Sequence, residues 1–267
     1  MQFIDEDTIT QAVIARHAQA ADPRLRDLMT SLVQHLHAFA REMRLTEHEW
    51  QAGLSLLAEA GQLSQGPRQE LALLSDALGL STLVTAMASR RRAGGTESTV
   101  GAPDAVDTAD TADGTDNEPP GDLCFVRGQV RAADGRPLPG AQVCLGDARL
   151  QADEQGRFQG HAQAAAARRL PTDGPIGALL RSLGRSAWRP AHLAVQVQAA
   201  GCRPLRTQLF RRGDQPLDAN ADADAAFGAR RPLVADWQRH EPGRAPDGRV
   251  SARPFYTVDF DFVLEPA

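Results

Sequence analysis

From Leu25 onward, large apolar side chains return every three or four positions: Leu25, Leu28, Met29, Leu32, Val33, Leu36, Phe39, Ala40 and Met43. That spacing predicts a long amphipathic helix. Asp22-Pro23 supplies its N-cap and a proline at the first helical position. Thr46-Glu47-His48-Glu49 is a capping box that predicts a second helix through Trp50, Leu54, Leu57 and Ala58. Gly66-Pro67 is expected to open a third helix through Leu71, Leu74 and Leu78, and Ser81 to cap a fourth that ends near Arg90-Arg91-Arg92, where cations meet the negative end of the helix dipole.

The texture changes at Gly94. The stretch GAPDAVDTADTADGTDNEPPGD is acidic and almost free of large apolar side chains, so it reads as a solvated linker. Its aspartates recur every third residue, a step too wide for the ligands of a calcium loop. Beyond Asp122 the period becomes two. CFVRGQVRAADGRPLPGAQVCL is two alternating runs about an Asp134-Gly135 turn, followed by HLAVQVQA, RTQLF and YTVDFDFVL. In HLAVQVQA, His192, Ala194, Gln196 and Gln198 share one face, and Leu193, Val195, Val197 and Ala199 form the core face. In the last run Tyr256, Val258, Phe260, Phe262 and Leu264 lie together. The expected organisation is a helical domain over 1–93, a linker over 94–121 and a β-sandwich or barrel over 122–267.

Composition narrows the function classes. The apolar share of 42% and charged share of 24% are those of a globular protein. No apolar run approaches the roughly 20 residues needed to cross a bilayer, so no membrane span is expected. The start MQFIDEDTIT has no secretory signal pattern, and three scattered cysteines suggest no disulfide framework, so a cytoplasmic location is expected. A net charge of −5 argues against general nucleic-acid binding. His35 and His37 fall about 200° apart around their helix and cannot share a metal. DANADAD, Asp218 to Asp224, imitates an EF-hand opening, but Ala223 and Ala229 replace its glycine and closing glutamate, so it reads as an expanded surface loop.

Several segments together resemble one family. LVQHLHAFAREMRLTEHEW, RQELALLSDALGLSTLV, TESTVG, GDLCFVRGQVRAADGRPLPGA, LPTDGPIGALL, WRPAHL and PFYTVDFDFVL stand in the order found in intradiol ring-cleavage dioxygenases of the catechol and hydroxyquinol 1,2-dioxygenase branch. The resemblance implies an α+β fold, with an N-terminal helical dimerisation domain followed by an antiparallel two-sheet β-sandwich. It implies a homodimer through the helices, with an apolar interface channel that can hold a phospholipid. It also implies non-haem Fe(III), held by two tyrosinates and an H-x-H pair, that cleaves a catechol to a muconate-type diacid.

The implied ligands do not map onto this chain. The histidine pair falls on His192 and Ala194. One tyrosine position falls on Arg168, and the segment carrying the other is missing between Leu145 and Asp153. The one tyrosine of the chain, Tyr256, is not at a ligand position. A guanidinium has no lone pair to donate and stays cationic. His161, His240, Asp147, Asp153 and Asp173 are the remaining candidates for a rebuilt site, and none has a recognised ligand spacing with His192. Arg189 and Gln208 match family positions beside substrate and metal, while Thr96, Val100 and Gly101 match a loop at the pocket mouth. Each also has a plain structural reading, as a strand-end ion pair, a sheet polar contact or the start of the linker. The expectation is a family member without ring cleavage that binds a small aromatic diol or diacid or pairs with a partner, Arg168 and Arg189 being one possible diacid clamp. The alternative is an active catechol or hydroxyquinol dioxygenase with a rebuilt metal site.

Overall fold

A computed structural model describes residues 4–65, 68–90, 94–99, 122–212 and 224–267. Its contacts divide into two compact units, 1–58 and 59–267.

The first unit is helical. Helices α1 (Ile9–Arg16) and α2 (Pro23–Glu42) pack together, and α3 (Glu47–Leu63) begins in this unit. The Asp22 carboxylate accepts from the Arg24 amide at 2.8 Å, as a cap before Pro23 should. The capping box forms: the Thr46 amide donates to Glu49 at 2.9 Å and the Glu49 amide to Thr46 Oγ1 at 3.3 Å. Arg44 adopts a left-handed φ of 50° that ends α2, and the Leu45 amide returns to the Ala40 carbonyl. His37 bonds Thr10 Oγ1 at 3.0 Å, a local tie between α2 and α1. The apolar stripe of α2 lies where its period placed it, yet Leu25, Leu28, Leu32, Leu36, Phe39 and Met43 are all exposed. An amphipathic pattern fixes which face is apolar and leaves open what covers it.

The second unit begins with α4 (Glu70–Ala77) and α5 (Leu80–Arg90). Gly66-Pro67 and Arg91-Arg92 lie outside the described residues. Ser81 does not cap α5 but sits in its first turn, its hydroxyl on that of Ser75 at 2.7 Å; Gly79, at φ 71°, makes the break instead. The strands are β1 (Asp122–Ala132), β2 (Gln142–Leu145), β3 (Ala148–Gln151), β4 (Arg157–Ala164) and β5 (Arg168–Arg169). After α6 (Pro175–Ser182) come β6 (Trp188–Arg189), β7 (His192–Gln198), β8 (Leu205–Arg211) and β9 (Val234–Ala235). The chain ends with β10 (Gln238–His240), β11 (Gly243–Arg244), β12 (Val250–Ser251), β13 (Phe255–Asp259) and β14 (Phe262–Leu264).

One sheet has the order β10-β13-β1-β14 with β4 also on β1; the other has the order β3-β2-β7-β8-β9. The core contains Val126, Val130, Val143, Leu145, Leu193, Val195, Val197, Leu209, Val258, Phe262 and Leu264 from both sheets. Two expectations are corrected. The sheets are mixed rather than antiparallel, because β1 runs parallel to β13 and β14, and β8 runs parallel to β9. The Asp134-Gly135 turn forms, with Gly135 at φ 87°, but it does not join a paired hairpin. Its pairing ends with the single Arg131–Pro137 bridge, flanked by the Ala132–Arg136 and Leu138–Val130 backbone bonds, before the chain crosses to the second sheet, where β2 pairs with β3 and β7. A turn signal records a local reversal and carries no information about the sheet the chain enters next.

Gly94–Thr99, read as the start of a linker, is tied to the strands. The Thr96 amide donates to the Val263 carbonyl and the Val263 amide to Thr96 Oγ1, both at 2.8 Å, while the Thr99 amide donates to Arg206. Residues 100–121 lie outside the described set.

Helix α4 is joined to α6 by a buried carboxylate. Glu70 accepts from the Ile176 amide, at the N-terminus of α6, and from Arg68 Nε at 3.2 Å; Arg68 also grips Asp173 with two 3.0 Å bonds. A β-carbon on Gly174 would lie 2.2 Å from the Glu70 carboxylate. Glu70→Ala is expected to strand the α6 N-terminus and lower stability by about 2 kcal/mol. A shift in the urea unfolding midpoint at unchanged slope would register it, and no shift would show that the contact contributes nothing.

Candidate functional site

Strand β7 carries His192 at its first position, and the predicted alternation holds: Leu193, Val195 and Val197 enter the core. Ala165 and His192 exchange both backbone bonds, Ala165 N–H to His192 O at 2.8 Å and His192 N–H to Ala165 O at 3.1 Å. The same antiparallel register continues through Arg168 opposite Arg189 and Arg169 opposite Trp188. On the other edge of β7, His192 faces Phe210 and Ala194 faces Gln208. The ladder therefore gathers His192, Arg168, Arg189, Gln208 and Ala194 in one region.

Arg189 is buried and already engaged. Its Nη2 donates to Gln208 Oε1 at 3.1 Å, and its Nε lies 3.5 Å from Asp224 Oδ1, near enough to pair charge but too long for a hydrogen bond. Asp224 is also buried. It accepts amide hydrogens from Ala226 at 3.1 Å, Gly228 at 2.7 Å and Ala229 at 2.9 Å. The expectation of a surface loop fails at this residue, while the preceding part of DANADAD is outside the described residues. Asp224 is the site residue that sequence reasoning passed over. Its signal was local: an aspartate followed four residues later by glycine can fold a turn onto its own carboxylate.

The His192 ring is buried, 5.8 Å from that of Phe210, with Nδ1 2.9 Å from the Pro190 carbonyl. A carbonyl only accepts, so Nδ1 carries the hydrogen and Nε2 keeps the lone pair. Burial pushes the imidazole pKa down to about 4, with the Arg189 charge acting the same way; the Pro190 carbonyl opposes this, and Arg168 lowers it further. His192 is thus neutral at physiological pH. Arg168 is exposed on β5.

The other candidates lie elsewhere. Thr96 lines a separate cavity of about 640 Å³ between α5, the start of β8 and β14, which contains none of Arg189, His192 and Gln208. Val100 and Gly101 are outside the described residues. His161 packs on Phe125, and His240 stacks on Phe255 and bonds Thr257 at 2.9 Å. Asp153 closes the turn before β4 through the Gln155 and Arg157 amides, and Asp173 holds Arg68. Tyr256 lies on β13, against Trp237 and beneath Arg211. Among the described residues, no three His, Cys, Asp or Glu side chains form a group that could hold a metal.

Strand β2 turns tightly into β3. Residues Gln142–Leu145 pair with Ala148–Gln151 in unbroken register, so Gly146-Asp147 alone make the turn. Gly146 adopts φ 53°, and its amide donates to the Ala194 carbonyl at 3.0 Å.

Two family models match the chain: "Catechol dioxygenase N terminus" over residues 22–96 and "Dioxygenase" over residues 145–266. A 6-chlorohydroxyquinol 1,2-dioxygenase of Cupriavidus pinatubonensis is 43% identical, across 100% of this chain and 99% of its own. A hydroxyquinol 1,2-dioxygenase of Rhodococcus opacus is 35% identical, across 99% and 95%. The crystal structure of hydroxyquinol 1,2-dioxygenase from Pseudomonas putida DLL-E4 superposes with a TM-score of 0.82 at 32% identity, covering 98% of this chain and 99% of that one.

Proposed function

Because this chain belongs to the intradiol ring-cleavage dioxygenases, we propose that it is a member that keeps the fold, has lost the ferric site and does not cleave rings. The family's iron takes two tyrosinates and two histidines. The residues at those places here do not fit it. One observation carries the reading: on β7 the methyl group of Ala194 stands two residues from His192, and the charge of Arg168 is near enough to lower the His192 pKa. A guanidinium beside a trivalent cation repels it and donates nothing. Loss of an outer-shell partner alone commonly costs a metal site 10–100-fold in affinity, and loss of first-shell donors costs more.

The competing reading is an active dioxygenase for hydroxyquinol or a chlorinated hydroxyquinol, favoured by 43% identity over the full chain to a protein of that name. Metal analysis with an oxygen-uptake assay separates the two. Protein expressed with excess iron is expected to hold far less than one iron per chain, to lack the visible tyrosinate-to-iron band and to consume no oxygen with catechol or hydroxyquinol. Stoichiometric iron with turnover would replace this reading by the other. We further infer a homodimer through the exposed stripe of α2, since a face of that size is seldom left bare.

A further inference from the structure

We infer that the region beside His192 has become an anion site, taking an aromatic hydroxy-acid directly on protein groups: its carboxylate on Arg168, its hydroxyl on His192 Nε2. This rests on the reading that no iron occupies the region. The β5–β6 register places Arg168 three residues along the ladder from the Ala165–His192 pair, a backbone offset of roughly 10 Å at strand rise. A long guanidinium side chain bridges much of that distance. Beyond the backbone pairing of β5 with β6, the Arg168 guanidinium has no hydrogen bond or ion pair among the described residues, in contrast to that of Arg189, which Asp224 and Gln208 already hold. The diacid clamp of two guanidiniums expected from the sequence is therefore reduced to one available cation.

The second requirement comes from the imidazole. With its Nδ1 hydrogen committed to the Pro190 carbonyl, His192 offers an acceptor and no donor. A carboxylate alone would leave that lone pair unmatched, and a second carboxylate would face it with nothing to donate. A hydroxyl matches it. The chemistry selects a monoanion that carries a free hydroxyl on the same rigid frame. The hydroxyl should not be tied to its own carboxylate, which favours the meta isomer over the ortho one.

Calorimetric titration of the full chain with 3-hydroxybenzoate, benzoate and catechol tests this, with iron measured in the same preparation. 3-Hydroxybenzoate is expected to bind about five- to tenfold more tightly than benzoate, the range of one neutral hydrogen bond. Arg168→Ala should weaken it by about tenfold or more, whereas Arg169→Ala, which removes an equal charge from the guanidinium stacked on Trp188, should leave it unchanged. Equal binding of benzoate, tighter binding of catechol, equal loss in both variants, or no binding by iron-free protein would each overturn the inference. Stoichiometric iron would instead overturn the reading on which it rests.

Discussion

Asp224→Ala should lower the stability of this protein by about 3–5 kcal/mol, the cost of leaving a buried charge without its partner. The carboxylate has two roles that alanine cannot fill. It offsets the Arg189 charge, and it accepts three amide hydrogens from the turn that follows it. That turn is fastened outward as well: Thr82 on α5 donates to the Ala226 carbonyl at 3.1 Å, and the Arg185 guanidinium lies 4.7 Å above the Phe227 ring. Phe227 itself holds a left-handed φ of 55°, which a bulky side chain adopts only when its surroundings impose it. Asp224→Asn retains an acceptor and should fall between wild type and Asp224→Ala. Arg189→Met added to Asp224→Ala should recover part of the loss, because the stranded cation is gone. Urea unfolding of the three variants measures this. An Asp224→Ala midpoint within error of wild type would mean that the pair is solvated and contributes little.

Gly128→Ala is the second large effect. Strand β1 runs beside β13 and then β14 in one continuous register, but between them the chain buckles at Phe260-Asp261. There the Phe260 amide still donates to Arg127 O at 3.0 Å, while the Gln129 amide turns to the Asp261 carboxylate at 2.8 Å. The Phe260 carbonyl moves into the space over Gly128, where a β-carbon would lie 1.8 Å from that oxygen. A methyl group cannot share that volume, and the obstacle is backbone rather than a side chain that can rotate away. A cost of about 3 kcal/mol is expected, at the upper end of overpacking. Thermal unfolding gives the value, and amide exchange should show the damage first along β14. Unchanged exchange at Val263 and Leu264 would contradict the assignment.

Much of the site was legible because it is written in short-range terms. The period of two around His192 put Leu193, Val195 and Val197 in the core, and His192 with Ala194 on the other face, which β7 displays. A segment that carries the family resemblance, WRPAHL, also carried Arg189, and the RTQLF strand carried Gln208; the ladder brings both beside His192. Asp224 offered a local turn signal, but its pairing was not legible, because that depends on Arg189 thirty-five positions earlier in the chain. Thr96 was misplaced for a related reason: its strand-like bonds to Val263 cross most of the sequence.

By itself, the sequence determined the helical stretches, the caps at Asp22 and Thr46, the faces of β7 and the roster of side chains, including a single tyrosine. Those features follow from backbone geometry and from interactions a few residues apart, which the chain expresses wherever it folds. Only the tertiary structure decided that β1 and β2 part into different sheets, that β13 and β14 lie parallel to β1, and that Arg189 belongs to Asp224 and leaves Arg168 open. Such choices are made when distant segments compete for the same buried space and the same hydrogen-bond partners, and no local pattern records the outcome of that competition.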